Sequence, residues 1–218
     1  MPAMKQHVFL LALLVLMLAG PARAASEASE LRDYVNDSTQ QLIEKLAQNR
    51  ALYSTDPEAF YQKMDAILTD FVDFRRIAAR VMGRYARQTT PEQRDEFVVS
   101  FKRSLFDTYA QALVSEENVD IAVKDAVINP QDPGRAMVQM EVVTSTGNRY
   151  HVAYSMYKNK ENRWMMENVT VEGVNVGLAF RDRFAQEMEK NHGQIQDVID
   201  GWSDTVKALN LDEEIDKS

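Results

Sequence analysis

The chain contains no cysteine, which excludes disulfides, thiolate metal sites and thiol nucleophiles and leaves its stability to packing alone. Histidine is scarce: three residues in 218, of which only His151 and His192 lie beyond the N-terminal region. With eight glycines and six prolines, no Gly- or Pro-rich linker divides the sequence, so one domain with a sizeable core is expected. Positive charge is in deficit, 25 Lys and Arg against 33 Asp and Glu, a net −8. That balance disfavours nucleic acid as a partner, because neutralising phosphates requires a basic footprint. H-E-x-x-H, phosphate-loop, dinucleotide and G-x-S-x-G patterns are all missing.

The one long apolar run stands at the start. Lys5 precedes Val8 to Ala19, Gly20-Pro21 interrupts the run, and Ala22-Arg23-Ala24 follows. Such an arrangement is a secretory signal peptide, 1–24, with the cut expected after Ala24, since a membrane span needs about 20 apolar residues. No cysteine follows for lipid attachment, so residues 25–218 are expected as a soluble monomer. Removal of Lys5 and Arg23 without loss of any acid takes the charge from −8 to −10.

Helical spacing then governs the first half. Leu31, Tyr34, Val35, Leu42, Ile43 and Leu46 predict a helix from Glu30 to Asn49. Asp56-Pro57 reads as an N-cap and first-turn proline, opening a second helix with the stripe Phe60, Met64, Ile67, Leu68, Phe71. Phe74 to Met82 continues helical, and Gly83 ends it. Thr90-Pro91-Glu92-Gln93 combines N-cap, N1 proline and capping-box glutamine, and the wide stripe that follows (Phe97, Val98, Phe101, Leu105, Tyr109) faces more than one neighbour.

After Ser115 the period falls to two. Val119–Ile128, Arg135–Ser145, Asn148–Tyr157 and Arg163–Glu172 predict four strands, and Asp132-Pro133-Gly134, Thr146-Gly147-Asn148 and Lys158 to Asn162 predict short antiparallel connections. Ala136, Val138, Met140 and Val142 share an apolar face with Tyr150, Val152, Tyr154 and Met156, while Gln139, Glu141, Arg149 and His151 face water. Helical spacing returns in Val176, Phe180, Phe184 and Met188, breaks near His192-Gly193, and resumes from Ile195. The acidic end from Asp212 reads as a frayed tail. The fold class is α+β: helices packed over one antiparallel sheet.

For catalysis the residues offer little. His192 sits at a helix end and His151 on a wet strand face, both ordinary surface positions, and no lone acid stands out on an apolar strand face. Five methionines (Met137, Met140, Met156, Met165, Met166) fall in the strands, where flexible thioethers could adapt to variable apolar cargo or simply fill a core. Pattern alone gives an apolar interior without saying whether it is filled. Arg76, Arg80, Arg84 and Arg87 form one basic stripe if the helix survives Gly83, open to an anionic group or to pairing with acids. Arg183 can pair with Glu187 at i+4, whereas Arg181 has no acid at helical spacing.

The segment WMMENVTVEGVNVGLAFRDRF, Trp164 to Phe184, resembles the W-x-V-x-D-V-x-V-E-G-V-S-x-x-x-x-Y-R-x-x-F signature of the MlaC, or toluene-tolerance, family of periplasmic phospholipid-binding proteins. GRYARQTTPEQRDEF, Gly83 to Phe97, is similar to that family's second conserved pattern. Asn168, Asn175 and Phe180 depart from the usual Asp, Ser and Tyr; Glu172-Gly173-Val174 and Arg181 are retained. The resemblance implies an NTF2-like domain enclosing an apolar pocket, no catalytic residues, no metal and no cofactor, with phospholipid as cargo. It implies a periplasmic location in a Gram-negative bacterium. The implied partners are an inner-membrane ABC transporter complex with an MCE component and an outer-membrane lipoprotein and porin complex. The lining expected on the helices is Phe71, Phe74, Val81, Phe97, Phe101, Leu105 and Phe180; that on the sheet is Val138, Met140, Val142, Tyr150, Val152, Tyr154 and Trp164. Arg181, Arg80 and Arg84 are the candidates for headgroup contact or docking. A chaperone for apolar protein segments and an NTF2-like enzyme with an isolated acid in its pocket remain the alternatives.

Overall fold

The computed structural model describes residues 19–115 and 119–209; the apolar run before Ala19 and the acidic end from Asp212 lie outside them. Helix α1 spans Ala19–Thr55, longer at both ends than the apolar stripe predicts. Alanine-rich sequence needs no buried face to stay helical, and Pro21 lies in the first turn, where the missing N–H costs nothing. Gly20-Pro21 thus stand in the opening turn of α1, and the apolar run they were expected to interrupt lies outside the described residues. Helix α2, Pro57–Thr69, opens where Asp56 Oδ1 accepts from the Ala59 N–H at 3.0 Å. It stops two residues before Phe71, which lies in the link to α3.

Helix α3, Phe74–Met82, is capped by Asp73, whose carboxylate accepts from the Arg76 N–H at 2.9 Å. It ends at Gly83, whose φ of +55° suits a residue without a Cβ. A 3₁₀ turn, Gly83–Arg87, replaces further helix, so the basic stripe from Arg76 to Arg87 does not form. Helix α4, Pro91–Ser115, begins with a reciprocal box: Thr90 Oγ accepts from the Gln93 N–H at 3.2 Å and Gln93 Oε1 from the Thr90 N–H at 3.1 Å.

Strands β1 (Asp120–Ile128), β2 (Arg135–Val143), β3 (Arg149–Lys158) and β4 (Trp164–Val171) form an antiparallel meander in chain order. A fifth strand, β5 (Val174–Asn175), folds back on β4 through Glu172 and Gly173, at φ +46° and +83°. The sheet therefore has five strands where alternation predicts four, because two residues are too few to show a period. In the register, Val138 faces Ala126 and Tyr154, and Met140 faces Val123 and Val152. Between β3 and β4, Ser155 pairs with Asn168 but Met156 with Met166. Glu167 is thus the extra residue of a bulge, which re-aims its side chain.

Helices α5 (Val176–Lys190), α6 (Ile195–Asp200) and α7 (Trp202–Lys207) complete the chain. Burial falls into three clusters. One gathers α3 to α7 around the fully buried Trp202, with Phe97, Phe101, Phe180 and Phe184 against it in tilted and edge-on contacts. A second lays Leu31 and Val35 of α1 across Ala126, Val138, Met140 and Met156 of the sheet, each such side chain contributing about 2 kcal/mol. The third joins α1, α2 and α4 through Phe60, Met64 and Ala110.

Candidate functional site

Around the third cluster, packing is incomplete. A cavity of about 250 Å³ lies between α1 (Leu46), α2 (Met64, Leu68), α3 (Phe74) and α4 (Leu105, Phe106). Its lining carries charge only at Asp65 and Lys102, joined by bonds of 2.7 and 2.8 Å. A second cavity, about 380 Å³, lies between α1 (Tyr34, Leu42), the α2 to α3 link (Phe71, Val72) and the sheet (Tyr154, Met166). Leu68 lines both. Tyr34, Phe71 and Tyr154 run along the second wall with ring centroids 6.1 and 5.9 Å apart. Burial raises the Tyr154 phenol above its ordinary pKa, the mark of an apolar setting. The rim beside Ser38, Gln41, Lys45 and Asp70 is polar.

Of the residues expected to line a pocket, Phe74 and Leu105 are at the first cavity and Phe71 and Tyr154 at the second. Val138, Met140, Val152 and Trp164 belong to the cluster under α1; Val142 and Tyr150 are cross-strand partners toward the other end of β2 and β3. Val81, Phe97, Phe101 and Phe180 sit in the cluster around Trp202 and line neither apolar cavity. Sequence reasoning missed Leu46, Tyr61, Lys102, Phe106 and Tyr109 as a wall. It had the stripe Phe60, Met64, Ile67, Leu68 on α2, whose spacing is the same whether it faces a void or a neighbour.

The basic candidates lie elsewhere. Arg80 and Arg181 line a separate groove with Glu167, Asn168 and Gly177. Arg181 pairs with the adjacent Asp182 at 3.3 Å, a partner that helical spacing did not offer, and its alkyl stem passes over Gly83. Arg183 pairs with Glu187 at 3.1 Å, as the i+4 spacing predicts. Arg84 donates to its neighbour, Tyr85 Oη, at 2.7 Å.

Glu167, only 3 % exposed, is the acid that alternation failed to single out. The bulge turns it toward three guanidiniums: Arg80 and Arg135 at 3.0 and 2.8 Å on one oxygen, Arg76 on the other. Beside it Arg76 stacks 4.0 Å over the Tyr157 ring, and the Tyr157 hydroxyl donates to Asp73. Burial first, and then the Asp73 contact, push the Tyr157 phenol up to about 12. With both carboxylate oxygens taken up by three guanidiniums, Glu167 is a structural clamp joining α3, β2 and β4. Among the described residues no group of three or more His, Asp or Glu side chains could hold a metal ion, and no helix is long and apolar enough to cross a membrane.

The segment from Trp164 to Phe184 forms a latch between β4 and α5. Asn175 Oδ1 caps α5 by accepting from the Leu178 N–H at 2.9 Å, and Asn168 Nδ2 donates to the same oxygen at 3.0 Å. Asn168 Oδ1 accepts from the Gly177 N–H at 3.0 Å, and a Cβ on Gly177 would meet that oxygen at 2.3 Å. The Glu172 carboxylate accepts from the His151 backbone N–H and, at 3.2 Å, contacts its imidazole, which lowers the Glu172 pKa, the backbone bond contributing most. A sequence profile for the MlaC protein family matches residues 36–204. The chain belongs to the MlaC family. This MlaC-family chain is 37% identical over 195 residues to toluene tolerance protein Ttg2D of Pseudomonas putida, covering 89% of each. It is 20% identical over 193 residues to the intermembrane phospholipid transport system binding protein MlaC of Haemophilus influenzae, covering 87% of this chain and 81% of that one. In fold it matches the phospholipid-binding protein of Ralstonia solanacearum, solved in complex with a phospholipid, with a TM-score of 0.71 at 23% identity over 81% of this chain and 96% of that one.

Proposed function

We propose that this protein is a periplasmic phospholipid carrier, exported by residues 1–24, cut after Ala24, and working between inner- and outer-membrane complexes rather than as an enzyme. The observation that carries the reading is the pair of apolar cavities sharing Leu68 between α1, α2, α4 and the sheet, in a chain of the MlaC family. The physical need is large. At about 0.8 kcal/mol per methylene, exposing two tails of some thirty carbons to water costs more than about 20 kcal/mol, so a diacyl lipid crosses an aqueous space only when enclosed. Exchange between a bilayer and an apolar cavity is nearly balanced, so the carrier needs no chemical step of its own, and direction comes from its partners. The inner-membrane partner is an ABC transporter complex with an MCE component; the outer-membrane partner is a lipoprotein and porin complex. Arg80 and Arg181, on a groove apart from the cavities, suit docking better than contact with cargo.

The test is purification from the periplasm without detergent, followed by lipid extraction and mass spectrometry. Roughly one glycerophospholipid molecule or more per protein is expected. Protein that carries none, and cannot be loaded from phospholipid vesicles, rules the carrier out.

A further inference from the structure

We infer that the Lys102–Asp65 pair in the wall of the smaller apolar cavity is the headgroup site, Lys102 receiving the phosphodiester and Asp65 the cationic end of a zwitterionic lipid. This rests on the carrier reading and adds a residue assignment and a ligand preference to it. The two side chains are 19 % and 28 % exposed, so both are mostly covered by the protein. Such a pair is a poor source of stability, since apolar side chains of similar volume commonly serve as well or better. Its position calls for another explanation.

That position is where an amphiphile's polar end would be needed. Lys102 lies in the middle of α4, with Leu105 and Phe106 at i+3 and i+4 also lining the cavity, so the ammonium is planted on the apolar wall itself. Its Nζ is 5.8 Å from the centroid of the Phe74 ring, which lines the same cavity. Two of its three donors go to Asp65, and the third is open to an anionic oxygen. The neighbouring cation, Arg103, is committed to Glu58 and Asp107 and lies over the Tyr61 ring at 4.9 Å, which leaves Lys102 as the cation of the cavity lining. When a phosphodiester arrives, Lys102 exchanges one carboxylate oxygen for a phosphate oxygen, and the carboxylate oxygen so released meets the lipid's ammonium. The pair is neutral before and after, so loading buries no net charge. An anionic headgroup lacks the second half of this exchange.

The experiment uses the full mature chain, stripped of lipid and offered phosphatidylethanolamine, phosphatidylglycerol or diacylglycerol with identical tails in neutral carrier vesicles, with bound lipid measured by mass spectrometry. Wild type is expected to favour phosphatidylethanolamine over diacylglycerol by about tenfold, the scale of one charge-assisted hydrogen bond. The double variant Asp65→Asn/Lys102→Met, which leaves no unpaired charge behind, should melt near wild type, still load diacylglycerol, and lose that preference. Asp65→Asn alone should move the choice toward phosphatidylglycerol. A double variant that keeps the wild-type preference overturns the assignment while leaving the carrier intact. Wild type that loads none of the three overturns both. Should the double variant fail to fold, Lys102→Gln read against the same three lipids decides by the same criterion.

Discussion

At the scale of single residues, two of the three departures from the family signature, Asn168 and Asn175, make sense as a matched pair. With Asp at 168 and Ser at 175, a hydroxyl would donate to a carboxylate; here the Asn168 amide donates to the Asn175 carbonyl, and either arrangement would leave an acceptor for Gly177 and for Leu178. Asn168→Asp alone sets carboxylate against carbonyl oxygen, and Asn175→Ser alone strands the Asn168 amide. Each single variant should lose about 1 kcal/mol of unfolding free energy in urea, and the double variant should recover most of it, a coupling of about 1 kcal/mol. Additive losses would show that the two side chains do not interact. Tyr157 supplies a pH signature. Its folded pKa is about 12 against an ordinary 10.0, so the unfolded chain releases its proton first. The corresponding stability is complete below 10.0 and is lost as pH rises toward 12. Tyr157→Phe should flatten that limb of the stability profile, and an unchanged limb would exclude Tyr157 as its source.

At the scale of elements, α2 is the wall between the two cavities, and Leu68 is where they meet. Leu68→Trp should fill this point, cutting lipid loading by about tenfold or more while the melting temperature holds or rises, since a void is being packed. Normal loading with the larger side chain would place the cargo elsewhere. Much of this architecture was legible beforehand. The box at Thr90 and Gln93, the cap at Asp56, the stop at Gly83 and the meander's turns are local signals, each decided within four residues. What escaped was long-range. Phe97 and Phe106 have equally good helical spacing, yet one packs against Trp202 and the other borders a void, because hollowness depends on how α1, α2 and α4 are set apart. Lys102 and Asp65 meet across 37 positions. Glu167 was hidden by its bulge, which breaks the period by which buried strand positions are recognised. Phe71 was read into α2 because its spacing continues the stripe; the chain leaves the helix there to bond β4, Asp73 N–H to Met166 C=O at 3.0 Å and Met166 N–H to Phe71 C=O at 2.8 Å.

At the scale of the whole molecule, the acidic surface sets the terms of association. A net −8, reaching −10 without Lys5 and Arg23, repels anionic bilayers, so the proposed carrier would depend on specific protein contacts for transfer. Arg181→Ala should then slow transfer to an acceptor complex by about fivefold, with circular dichroism melting and lipid content unchanged. Equal transfer kinetics would make Arg181 an ordinary surface residue. The long first helix also fixes an order of events. Leu31 and Val35 of α1 are buried by Ala126, Val138 and Met156, which lie far along the chain. Synthesis delivers α1 first, so its apolar stripe waits without a partner while the rest is made. The meander, built only from successive strands, can assemble quickly once it emerges, because its pairings are near in sequence. Laying α1 across it comes afterwards, so the apolar face of the sheet is closed by a helix made before any of the strands it covers.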